Sequence, residues 1–127
     1  MAAVTTLTQK PHAEGVIITG TTIGAATVFA TNIAGEDLTC NNIHGYNQHT
    51  SAVDIYIARV PDNAAAVATP DINDIIYHKE MAAKGSFFLG PEDIRIQCND
   101  TNDTLAAYAS VASKVVINAS GHVQPDQ

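Results

Sequence analysis

Tryptophan is absent from this 127-residue chain, and its aromatic side chains are only four Tyr and three Phe. Broad ring platforms are therefore scarce. Basic residues are nearly as rare, six Lys and Arg against 13 Asp and Glu, for a formal net charge of -7, and only Arg59 and Arg95 carry guanidinium groups. Nucleic-acid binding draws on clustered Lys and Arg that displace counterions from phosphates, so nucleic acid is not an expected partner. No apolar run approaches the roughly 18 residues that a membrane span requires, which argues against a membrane partner as well. Cysteine is limited to Cys40 and Cys98. The opening "MAAVTTLTQKPHAEG" lacks the basic start and apolar run of a secretion signal, so synthesis in the cytoplasm with reduced thiols is the expectation.

What the chain does contain is small and β-leaning. Hydrophobic residues make up 46% and charged residues 15%, with Ala foremost and Val and Ile behind it. Such a chain has the length for one folded domain. The clearest local signal is "SAVDIYIARVPDN", residues 51–63. Side chains alternate between the faces of a strand, so Val53, Ile55 and Ile57 point one way and Asp54, Tyr56 and Ala58 the other. Pro61 has no amide hydrogen for the ladder, and the strand must stop there.

The pattern recurs along the chain. In "EDIRIQCND", Ile94, Ile96 and Cys98 oppose Arg95 and Gln97, and in "TLAAYASVA", Leu105, Ala107, Ala109 and Val111 oppose Tyr108. "ATVFATNI" and "DLTCNNI" read as two strands about a tight "AGED" turn; "INDIIYHKE" and "GSFFLG" are weaker strands, and "GVIIT" and "KVVIN" short edge strands. Pro70 breaks the alanine-rich stretch before Asp71, leaving room for a helical turn between strands. Six to nine short strands separated by Gly, Asn, Asp and Pro turns predict an all-β, jelly-roll-like β-sandwich. The expected division is an N-terminal arm over 1–14, the sandwich over 15–118 and a C-terminal tail over 119–127, because both ends hold few large apolar groups.

Motifs for chemistry are thin. Cys40, His44 and His49 in "CNNIHGYNQH" lack the tight pair spacing of a zinc site. The cluster "NDTND", residues 99–103, begins like a calcium loop but lacks the Gly and distant Glu that complete one, so a hairpin turn is the simpler reading. Asp74, His78 and Glu80 lie close together, as do Glu92 and Asp93, yet neighbouring strand residues face opposite ways and cannot flank one bond. No nucleophile elbow or phosphate loop is present. The expectation is a protein with no catalytic residues, no metal and no cofactor.

The segments "LTCNNIHGYNQHTSAVDIYIARVPDN", "INDIIYHKEMAAKGSFFLGPEDIRIQCND" and "TLAAYASV" together resemble small β-sandwich virion proteins of bacteriophages, over roughly residues 25–112. The shared pattern is a strand entering an Asn-containing turn, an alternating strand ending in Val-Pro, spaced isoleucines, and a hairpin through Leu89, Gly90 and Asp93. Here Pro91 and Glu92 separate Gly90 from Asp93. The resemblance implies a non-enzymatic capsid decoration (cement) protein on the outside of the virion, with neck, tail or fibre components as the alternative. Its implied partners are the major capsid protein or neighbouring virion proteins and further copies of itself, a trimer above all. Tyr56 and Tyr108, on the wet faces of their strands, are the expected contact surface. The reading from another class is a carbohydrate-binding module that uses such tyrosines as platforms.

Overall fold

The computed structural model describes residues 8–61 and 69–125. Nine strands run through them: β1 (Thr8–Ile18), β2 (Thr27–Thr31), β3 (Glu36–Asn47), β4 (Val53–Val60), β5 (Ile75–Met81), β6 (Ser86–Leu89), β7 (Ile96–Cys98), β8 (Thr104–Ala109) and β9 (Val115–Pro125). They form a front sheet in the order β1-β9-β3-β6, with β7 also on β3, and a back sheet in the order β2-β8-β4-β5. All pairings are antiparallel.

The pairings β1·β9, β2·β8, β3·β6 and β4·β5 nest inside one another. The chain is thus one long hairpin, doubled back at β4 and β5 and then wound so that its two halves close on each other through β9·β3 and β8·β4. That winding is the jelly roll, and it accounts for most connections crossing between sheets. Between the layers lie Ile18, Ile43, Ile55, Ile57, Leu105, Val115 and Ile117, all fully buried, and each such side chain is worth about 1.5–3 kcal/mol of burial.

Strand faces follow the alternation read from the sequence. Val53, Ile55 and Ile57 are buried while Asp54 and Tyr56 are only partly covered. Ala58 differs from expectation: it lies on the outer side yet is 1% exposed, because Val60 and Ala106 sit beside it and Ile23 and Ala26 of the β1–β2 connection pack over all three. A 3-10 turn at Ile72–Asp74 fills the place left for one, with Asp71 and Asp74 capping it reciprocally.

Both expected arms are strand where they are described. Residues 8–14 open β1, and 119–125 complete β9, which has partners on both sides and is no edge strand. Residues 1–7 and 126–127 lie outside the described residues, as does 62–68, which includes Asp62 and Asn63 of the turn expected at "PDN". In 119–125 large apolar groups are missing because the inner face of β9 is made of Ala119, Gly121 and Val123, alternating with Ser120, His122 and Gln124. Small residues hide the period from a reading based on bulk.

Two expected hairpins prove to be crossovers. Gly35, at φ +83°, makes the tight "AGED" turn, but β2 and β3 belong to different sheets. The turn at 99–103 likewise links β7 in front to β8 behind. Its Asp103 is 1% exposed and accepts from Arg59 at 3.2 Å and from the Asp100 amide at 3.1 Å, while Arg59 Nε donates to the Gln97 carbonyl at 2.9 Å. One of the two arginines therefore joins the sheets at this end. The Gly90–Asp93 segment is a turn closed by its own carboxylate, which accepts from the Gly90 amide at 2.9 Å.

Candidate functional site

The outer face of the back sheet carries an ordered row of rings. Tyr56 on β4 stands opposite His78 of β5 on one side and Tyr108 of β8 on the other. Neighbouring strands lie about 4.8 Å apart, so three flat side chains in one register stand upright and stack. The Tyr56 and His78 ring centroids are 4.2 Å apart with planes 4° from parallel, and those of Tyr56 and Tyr108 are 4.5 Å apart at 7°. Asp54 fixes the end of the row, its Oδ1 lying 3.0 Å from His78 Nε2. Asp54 is itself tied to β8: its amide donates to Ser110 Oγ, and its carbonyl accepts from the Ser110 amide, both at 2.9 Å. Burial, and then the neighbouring Tyr56, raise the Tyr108 hydroxyl above its ordinary pKa.

Tyr56 and Tyr108, the residues singled out in the sequence, are thus brought together, and His78 joins them. The sequence groups His78 with Asp74 and Glu80, whereas the fold pairs it with Asp54, 24 positions away. Both faces of Tyr56 are covered by other rings, leaving its edge toward solvent. A sugar platform needs an open ring face, which this tyrosine does not offer.

The other candidates separate. Cys40 points into the core, while His44 is exposed on the opposite side of β3 and His49 lies in the bend that follows it. Among the described residues no three His, Cys, Asp or Glu side chains gather to hold a metal ion. Cys98 faces Leu38 and Cys40 faces Ile96, so the two buried, free thiols are offset by two residues on adjacent strands. Burial raises both to about 11, which makes them unreactive rather than nucleophilic. Glu92 and Asp93 sit in the turn after β6, with Asp93 engaged in closing it.

The outer face of the front sheet holds what the sequence reading passed over. Phe88 is 61% exposed there, opposite His44, while its neighbour Phe87 is buried against Gly45, where a Cβ would stand 2.1 Å from the Phe87 ring. Adjacent strand residues must face opposite ways, so "SFFL" already implied one outward phenylalanine. Beside Phe88 lies a hollow of about 430 Å3. It opens where register shifts in β1 (Pro11/Ala13 and Ala13/Val16) and in β3 (Cys40/Asn42) flank the small residues of β9. Bulges bend strands and re-aim side chains, and here they part the surface. At the same place His12 Nε2 donates across β9 to the Thr39 carbonyl at 2.8 Å, while its Nδ1 is buried with no partner.

No protein-family profile matches the chain. No curated protein matches it either. Among solved structures, a chain of Bacillus endospore appendages, described as a novel family of disulfide-linked pili, is similar at a TM-score of 0.44 and 13% identity, over 98% of this chain and 91% of that one.

Proposed function

We propose that this protein is a non-enzymatic structural subunit of a larger assembly, with decoration of a bacteriophage head as the leading case. The observation that carries this reading is the ring row on the back sheet. Tyr56 and Tyr108 are held upright by each other and by His78 before any partner arrives, so little side-chain entropy remains to be lost on docking. Tyrosine edges that offer hydroxyl groups above an apolar body are the groups enriched at protein contacts. Jelly rolls serve shell-building and sugar-binding proteins alike, so the surface, not the fold, must decide between them. The sequence resemblance to phage virion proteins sets the direction.

The mechanism is mass action: a subunit that binds only the assembled shell stabilises that state. Copies forming a trimer or another closed ring bring several weak contacts to one symmetry point. The test mixes purified protein with undecorated heads and measures co-sedimentation, capsid melting and mass in solution. Saturable binding over the whole head, a raised capsid melting temperature, and loss of both in the Tyr56→Ala/Tyr108→Ala double variant are expected. Attachment at a single vertex would move the protein to the neck or tail. A monomer that neither sediments with heads nor alters their heat resistance sinks the proposal.

A further inference from the structure

We propose that the hollow beside Phe88 on the front sheet is a binding site for a neutral saccharide, separate from the ring row on the opposite face. Phe88 is the exposed aromatic ring at this hollow. Its ring is braced on one side by Gly90, where a Cβ would stand 3.0 Å from Cε2. It also walls a second hollow of about 480 Å3 formed with the Gly90–Asp93 turn. A ring standing between two depressions offers a surface on which the C–H face of a sugar can lie.

The groups around it suit hydroxyls. Asn42, His44, Asn118 and Glu14 line the first hollow, and the backbone of Ala13 and Ala119, whose side chains turn into the core, lies beneath it. Neither Glu14 nor His44 makes a side-chain hydrogen bond to another described residue. Asn118 Oδ1 accepts from the Gly15 amide at 2.8 Å, which leaves its Nδ2 to donate, and Asn42 Nδ2 donates to Asn41 at 3.0 Å, which leaves its Oδ1 to accept. Donors and acceptors therefore stand beside the ring wall of Phe88, and the volume falls in the range of small-molecule sites.

The alternatives fit less well. Neither Lys nor Arg lines the hollow and a carboxylate does, so a phosphate or another anion finds no counter-charge. An extended peptide gains its affinity from main-chain bonds at a free edge. Here the hollow opens on the face of the sheet over β3 and β9, which are paired on both sides, while the edge strands β1 and β6 bound it with Glu14 and Phe88.

The test is a microarray of neutral hexose, deoxyhexose and N-acetylhexosamine glycans, followed by titration of the best binder. Phe88→Ala is expected to weaken binding about tenfold or more, and Asn42→Ala severalfold, while Tyr56→Ala leaves it unchanged. Because Phe88 is exposed, its variant should keep the wild-type circular dichroism; Asn42→Ala, on another strand, tests the site independently. The proposal is overturned if no neutral glycan binds at millimolar concentration, if binding survives Phe88→Ala, or if Phe88→Ala instead changes the mass in solution, which would make Phe88 a subunit contact.

Discussion

The two outer faces of this sandwich use aromatic residues in opposite ways. On the back sheet, β4 stays in step with β5 and β8 from Ile55 to Ile57, and Tyr56, His78 and Tyr108 consume one another's faces. On the front sheet, slips in β1 and β3 leave Phe88 standing beside a hollow. An unbroken ladder turns rings into a solid surface that suits a protein partner. Broken ladders turn a ring into a wall that suits a small molecule. Register, more than the number of rings, separates the two chemistries.

The most severe way to break this contrast is Gly121→Ala. A Cβ there would stand 2.0 Å from the Thr39 carbonyl, which is backbone and cannot swing aside. A loss of about 3 kcal/mol in urea unfolding is expected. Next is the pair Tyr56→Ala and Phe88→Ala. Removing the ring stacked on both sides should cost about 2 kcal/mol, while removing the exposed one should stay within about 0.5 kcal/mol. Equal losses would erase the distinction between the faces.

A smaller effect comes from His12. Burial lowers its pKa below the ordinary 6.5, against the opposing hydrogen bond to Thr39, and Lys10 and His122 lower it further. The unfolded chain therefore takes up this proton first as pH falls. The stability tied to neutral His12 is complete above pH 6.5 and declines as pH drops from there through the lower folded value. Melting temperatures at pH 7.5 and pH 5 should show a decline that is shallower in His12→Gln. Smallest is a labelling difference: with both thiols raised to about 11, Cys40 and Cys98 should resist a maleimide at pH 8 until urea unfolds the front sheet, then react together.

Much of this was legible residue by residue. The inward and outward sides of β4, β7 and β8 follow from alternation, as does the partial exposure of Tyr56 and Tyr108. Residues 8–14 and 119–125, expected in arms, are strand, and Ala119, Gly121 and Val123 keep the strand period there without bulk. The outward side of Phe88 is legible in "SFFL" as well, since with Phe87 buried its neighbour must face out. His78 could not be assigned to Asp54, since nothing local places them side by side.

Which side chains face inward is a property of two successive residues, and the order of amino acids alone determined it. Which rings meet, and where the surface opens, depended on pairings such as that of Gly15 with Asn118, 103 positions apart. Closing such loops is governed by how the whole hairpin winds. A one-residue slip moves every side chain to the other face, so only the folded molecule could decide that one sheet carries a stack and the other a cleft.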